Sequence, residues 1–387
     1  MTFSCRLILT HTDLRKLGRR MEQARVVIVG GGVVGCAIAA EISRNTDDVF
    51  VLEELPRVGM ATSSRNSGVV HSGIYYPTDS LKALHCVEGN RLTYEFAASH
   101  NVPHIQCGKF IVAVTLGEEA KLEELLALGQ ANGVGGLERV TMEEVHKHEP
   151  HVVGRSALRV PSTGIIESEE LTKAFARVAT EQGANVVTGA KLEAVEPGPA
   201  SVRIRSTVGE LETQALVNCA GLFSDEVAAL FGNGGYRIYP VRGEYWEVVK
   251  SKSHLINALV YPAPDPTGLS LGVHFKKTHE GTVLVGPNAR HVADKNDYEN
   301  DRESVEDFCD KARRLVPDLS PADLRQGFTG LRSKVVPPGE KGQGDFTMTR
   351  DASYPYVVHM IGIDSPGLTA AASLAREVSR LVTESLS

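Results

Sequence analysis

The sequence predicts an α/β fold, α+β over the whole chain, in which a domain on a parallel sheet is interleaved with a domain of antiparallel strands. Three observations carry this expectation. A glycine-rich strand–turn–helix–strand unit spans Arg25 to Glu54. A second buried run, Ala215 to Ala220, ends in Gly221 and returns to the same domain from far along the chain. Tyr239–Glu247 and Leu269–Lys276 alternate polar and apolar residues, which suits antiparallel strands with one buried face.

The first unit explains itself residue by residue. Val26 to Val29 is a short β-branched run, and Gly30, Gly32 and Gly35 after it read as G-x-G-x-x-G. Gly30 allows the tight turn out of the strand, Gly32 lets a pyrophosphate approach the backbone, and Gly35 lets the following helix pack on the sheet. That helix, from Cys36 to Ile42, offers free amides and a positive dipole end to phosphate. The second strand, Val49 to Leu52, ends in Glu53, where a carboxylate can bond ribose hydroxyls. The unit suits NAD or FAD alike, and disfavours a 2′-phosphate, which Glu53 would repel.

The 387 residues suffice for two domains or one interleaved pair. With 42% hydrophobic residues and a net charge of −7, the chain has a full core and no basic nucleic-acid footprint. No apolar run is long enough for a membrane span. Six scattered cysteines lack metal-like spacing and suit a reducing compartment. His146, His148 and His151 lack neighbouring ligands at metal spacing, so they read as exposed helix-end residues. The first 24 residues hold five basic side chains against Asp13 and Glu22. They read as a leader or a transit peptide, hence mitochondrial if imported and cytoplasmic otherwise.

In chain order, Met60 to Pro77 is a small, polar loop. Thr62, Ser63 and Ser64 offer hydroxyls to phosphate or ribityl oxygens, and Asn66 and Gly68 bring backbone close to a flat ring. His71, Tyr75 and Tyr76 follow. Helices are expected over Leu81–His100, Glu118–Asn132, Ser168–Gln182 and Ser224–Phe231. A capping box, Thr141-x-x-Glu144, starts a short helix. Strands are expected at Gly108–Thr115 and Asn185–Thr188, with an antiparallel excursion over Ala190–Glu196, Ser201–Ser206 and Glu212–Thr213 before the run Ala215–Ala220, and with Leu192 expected to touch the nucleotide. Ala220 and Gly221 end a strand that approaches the nucleotide. Phe328–Lys334 is a further strand, and Asp364 to Gly367 opens the last helix.

These segments resemble the FAD-dependent D-amino-acid-oxidase-like oxidoreductases, and most of all the L-2-hydroxyglutarate dehydrogenase/oxidase family. The matching pieces include VVIVGGGVVGCAIA, TSSRNSGVVHSGIYYP, LVNCAGLFSD, RGEYWEV, LGVHFKK, GLRSK and GIDSPGLTAAASLA. The resemblance implies FAD as the cofactor. It implies a Rossmann-like FAD-binding domain assembled from residues 25–95, 150–235 and 325–387, over which residues 96–149 and 236–324 form the substrate domain. It also implies oxidation of an L-2-hydroxy acid, L-2-hydroxyglutarate foremost, to the 2-oxo acid. Glycerol 3-phosphate or an amino acid are alternative substrates, and a non-catalytic FAD-binding assembly factor is a third reading. Oxygen, a quinone or an electron-transfer flavoprotein stay open as electron acceptor.

Such a reaction needs a base for the hydroxyl proton and a cation for the carboxylate. His71 is the candidate base, since a neutral imidazole accepts a proton near neutrality. Arg332 is the candidate carboxylate clamp, because its fork matches a carboxylate. Lys334, Arg242 and His274 are candidates for a second anchor. Tyr75 is expected to bond the substrate, and Tyr245 to wall or contact it. Gly367, Leu368 and Thr369, at the last helix N-terminus, are expected to face the anionic edge of the reduced flavin.

Overall fold

The computed structural model describes residues 22–264 and 271–387. The basic leader up to residue 21, and the start of the strand expected at Leu269, lie outside the described residues. The first strand runs Glu22–Val29, so it begins before the apolar run, and its Val26, Val27 and Ile28 are fully buried. A central parallel strand buries both faces, which is why this stretch is continuously apolar.

Register decides where the site forms. Val26 pairs in parallel with Val49 on one side and with Ala215 on the other. Leu216 in turn pairs in parallel with Val357. The carboxyl ends of four strands far apart in sequence (Glu22–Val29, Val49–Glu53, Gly209–Asn218 and Val357–Ile361) therefore meet at one edge of an eight-stranded sheet. In open α/β sheets a ligand crevice forms at such an edge. The helices Val33–Ile42, Leu81–Ser99, Ser168–Glu181 and Gly367–Leu386 share the core with this sheet. Each fully buried aliphatic side chain there contributes about 1.5–3 kcal/mol.

The antiparallel excursion forms as expected, but Gly209–Asn218 is one continuous strand rather than two pieces. Its first half pairs antiparallel with Val202–Ser206 and its second half parallel with Glu22–Val29.

A second, nine-stranded sheet carries Tyr239–Val248 beside Leu324–Lys334. Two of its strands fall outside the division expected from the sequence. Ser156–Val160 pairs with Lys109–Ala113, and Leu324–Lys334 with Tyr239–Val248. Sheet membership follows these long-range hydrogen bonds, which local pattern does not reveal. Glu138–Thr141, Ser156–Val160 and Leu259–Pro262 were not expected as strands. They are short, and Leu259–Pro262 is buried throughout, so it has no alternation to read. A small sheet of Val69–Val70, Gly164–Ile166 and His104–Ile105 carries the chain between the two large ones. Among the described residues no helix is long and apolar enough to cross a membrane.

Candidate active site

A cleft of about 1540 Å³, part of it open to solvent, runs from the first glycine turn to the junction of the two sheets. One half of it is built from the turn. Gly30 has φ +109°, and a Cβ there would lie 2.4 Å from the Cys219 carbonyl oxygen. A Cβ on Gly35 would lie 2.0 Å from the Gly30 carbonyl oxygen. Both positions thus require glycine on steric grounds, and the first helix starts against bare backbone. Gly32 and Gly35 line the cleft, whereas Gly30 supports it from behind.

Glu53 is held at the strand end. Its Oε2 accepts from the Gly31 amide at 2.7 Å and its Oε1 from the Leu55 amide at 2.8 Å. Burial raises its pKa, against these two amides. The Ser63 hydroxyl accepts from the Val33 amide at 2.9 Å, capping the helix from the loop. Thr62 donates to the Leu331 carbonyl at 3.0 Å and so ties this loop to the second sheet. Asn66 donates to the Thr62 and Ser63 carbonyls and accepts from the Gly68 amide, which folds the loop. Ser64, which does not line the cleft, bonds among the described residues to the Met60 and Ala61 carbonyls of its own loop. Leu192 and Ala220 do not line the cleft; Cys219 and Gly221 do. Leu192 instead packs on the apolar core under the antiparallel strands.

Gly367 and Leu368 line the far half, while Thr369 stands behind them and accepts from the His71 amide at 2.9 Å. His71 is buried in the cleft wall. Its Nε2 lies 3.4 Å from the Ser365 hydroxyl, and its Nδ1 is buried with no partner among the described residues. Burial first, then Lys109 and His274, bring its pKa down to about 3. The imidazole is therefore neutral at any ordinary pH.

Arg332 also lines the cleft. Its guanidinium donates to the Asn288 carbonyl at 3.4 Å and, among the described residues, has no carboxylate partner. Tyr245 lines the same wall and stacks on Phe328, with ring centroids 4.5 Å apart.

The other expected contacts are placed differently. Arg332 pairs with Val241 across the sheet, so Arg242, one residue on, faces the opposite side. There Arg242 is fully buried, its guanidinium 3.0 Å from Glu244 and 2.9 Å from Asp297. It does not line the cleft. Lys334 does, but its ammonium is 3.0 Å from Asp364, a carboxylate it shares with Lys82. His274 stacks on Tyr261 at 3.7 Å and its Nδ1 meets the Gly272 carbonyl at 2.8 Å. Burial is the main cause that brings its pKa to about 3, so it offers a neutral Nε2 acceptor rather than a cation. Tyr75 turns into the apolar core beside Ile111 and Leu158, and Tyr76 takes the place in the cleft wall. Sequence reasoning did not single out Lys109, Tyr261, Asp364 or Ser365 as site residues. Lys109 begins a predicted strand, where a lysine that is buried carries no local signal.

Whether the cleft fits a dinucleotide is a matter of shape and donors. Gly32, Gly35 and the helix N-terminus capped by Ser63 form the wall, with Gly30 and the strand-end Glu53 behind it rather than lining it, a setting that suits a pyrophosphate.

Residues 25–381 match the model of the family described as FAD dependent oxidoreductase. The chain is 30% identical over 391 residues to L-2-hydroxyglutarate dehydrogenase of Indibacter alkaliphilus, covering 92% of this chain and 97% of that one. It is 32% identical over 397 residues to the mitochondrial L-2-hydroxyglutarate dehydrogenase of Caenorhabditis elegans, covering 92% of each. Among solved structures it is similar to the dithionite-reduced, FAD-bound L-alpha-glycerophosphate oxidase of Mycoplasma pneumoniae. The TM-score is 0.86 at 26% identity, over 94% of this chain and 95% of that one.

Proposed function

The chain belongs to the family of FAD-dependent oxidoreductases, and from that premise we propose that it oxidises L-2-hydroxyglutarate to the 2-oxo acid. The substrate is that named for the relatives in Indibacter and Caenorhabditis. The observation that carries the reading is the pairing, in one cleft, of a guanidinium without a carboxylate partner among the described residues and a neutral imidazole.

The turn Gly30–Gly35 and Glu53 would hold the adenosine and pyrophosphate, Thr62, Ser63 and Asn66 the middle of the cofactor, and Gly367 and Leu368 its ring end. When bound, FAD supplies the acceptor for the hydride on the carbinol carbon. Arg332 fixes the substrate carboxylate through its fork. That orientation aims the hydroxyl at His71, whose Nε2 accepts the proton as general base. His274 offers a second neutral acceptor beside it. Tyr245 and Tyr261 wall the site and exclude water.

The test is anaerobic titration of the purified flavoprotein with each enantiomer of 2-hydroxyglutarate, following the flavin absorbance. The L-enantiomer should bleach it and the D-enantiomer should not. A second reading, oxidation of a glycerol phosphate, is supported by the likeness to the glycerophosphate oxidase, since a guanidinium also matches phosphate. Bleaching by glycerol 3-phosphate and not by L-2-hydroxyglutarate would transfer the assignment. Bleaching by neither would favour a flavin held for structure alone.

A further inference from the structure

Behind His71 lie several buried polar atoms that have no partner among the described residues: His71 Nδ1, Tyr75 Oη, Lys109 Nζ, Tyr261 Oη and His274 Nε2. Lys109 is 2% exposed. Its Nζ lies 4.3 Å from the centre of the Tyr75 ring and 4.8 Å from that of Tyr261. Rings of this kind attract an ammonium but do not replace its hydrogen bonds. A buried amine without a hydrogen-bond partner is costly, so its retention asks for a reason other than packing.

Two cavities approach each other here. His71, Tyr261 and His274 line the main cleft. Lys109 lines a second cavity of about 680 Å³, together with Gln106, Cys107, His148 and Arg159. Lys109 thus has one end of its surroundings in the wall of the candidate active site and the other in a separate cavity.

We propose that Lys109 receives the proton that His71 takes from the substrate hydroxyl, and that the second cavity is where this proton leaves the protein. The inference rests on the 2-hydroxy acid reading above. The proton steps balance. The substrate O–H bond breaks as its proton bonds to His71 Nε2. The Nδ1–H bond then breaks, and that proton passes, directly or across water, to the lone pair of the neutral Lys109 amine. The ammonium releases it to water in the second cavity. No electrons travel this way, since the carbinol hydrogen leaves with its pair as hydride. Lys109 touches neither substrate nor cofactor and acts through His71.

The surroundings support the direction of transfer. Burial brings Lys109 down to about 7, opposed by Cys86, while His71 sits at about 3. A proton therefore moves downhill from imidazole to amine. The groups facing Lys109 are His71 and Tyr75 from the loop, Cys86 from the helix Leu81–Ser99, and Tyr261 and His274 from neighbouring strands. Burial raises Tyr75, Cys86 and Tyr261, so none is an anion near neutrality. On the far side stand Cys107, His148, Arg159 and Glu149, whose carboxylate accepts from the Asn257 and Ala258 amides at 2.8 and 2.7 Å.

Lys109→Met keeps the apolar stem and removes the amine. The experiment uses the FAD-loaded protein with whichever substrate bleaches the wild type, so a wrong substrate assignment leaves it intact. Flavin reduction at saturating substrate should fall by about tenfold or more, with KM changed far less. The rise of the rate through about pH 7, where Lys109 loses its proton, should vanish, and added ethylamine should restore the rate. A variant that reduces flavin at the wild-type rate overturns the proposal. So does a slowed variant that keeps the wild-type pH profile and is not rescued by the amine.

Cys107→Trp, at an exposed position on the second cavity, tests the exit without disturbing the core. Proton release, read with a pH-indicator dye, should lag behind flavin bleaching in this variant and coincide with it in the wild type. Coincidence in both rejects the exit route.

Discussion

Lys82 donates to Asp364 across 2.6 Å, with both side chains 2% exposed. Lys334 reaches the other oxygen of the same carboxylate at 3.0 Å. Two ammonium groups therefore depend on one anion beneath the turn that opens the last helix. Asp364→Asn leaves both uncompensated and should destabilise the fold by about 3–5 kcal/mol, read as a fall in the denaturant midpoint. Burial raises the Asp364 pKa, but Lys82 and Lys334 outweigh it and the net shift is downward. A depressed folded pKa means this stabilisation is complete above the ordinary value of 3.8 and is lost as pH falls below it. Thermal melts down through that range should show the wild type losing its advantage over Asp364→Asn. A constant gap at all pH values would contradict the assignment.

Gly35→Ala places a methyl where the Gly30 carbonyl oxygen stands, 2.0 Å away. The turn must open to admit it, at a cost of about 1–3 kcal/mol. The purified variant should lose yellow colour and flavin content. Full retention of FAD would show that the turn is not part of the cradle.

Arg332→Ala removes the guanidinium from the cleft and leaves the flavin cradle untouched. Loss of a charge-assisted pair costs about 1.5–3 kcal/mol per hydrogen bond, so kcat/KM should fall roughly a hundredfold or more while FAD remains bound. Arg332→Lys keeps the charge but not the fork and should recover only part of the loss. Unchanged kinetics in the alanine variant would remove Arg332 from substrate binding.

His71→Gln should slow flavin reduction about a hundredfold or more. With the imidazole held at about 3, its basic form is present throughout the neutral range, so it contributes no titration limb there. The limb through about pH 7 belongs to Lys109 instead. A limb near the ordinary histidine value that survives in Lys109→Met would return the titration to His71.

Much of the architecture was legible because local chemistry dictates it. The triple-glycine turn has one common use after a β-branched strand and before a helix. Thr141 caps its short helix by accepting from the Glu144 amide, while the Glu144 carboxylate turns to Lys147 instead of closing the capping box. Asn185–Thr188 forms where its apolar run stands. Ser156–Val160 and Leu259–Pro262 escaped notice because each becomes a strand only through partners elsewhere in the chain.

The candidate site divides along the same line. By itself the sequence determined the glycine turn and the strand-end Glu53, and it offered an imidazole and a guanidinium, His71 and Arg332, that the fold brings to one cleft. Only the tertiary structure decided that Arg332 stays without a carboxylate partner among the described residues while Arg242, on the opposite face of the sheet, is consumed by Glu244 and Asp297. It also decided that Lys334 answers to Asp364, and that Lys109 lies buried behind His71 without a hydrogen-bond partner among the described residues. The reason is physical: a backbone motif is recognised from neighbours in sequence, but the charge available at a side chain depends on which distant groups the fold sets against it.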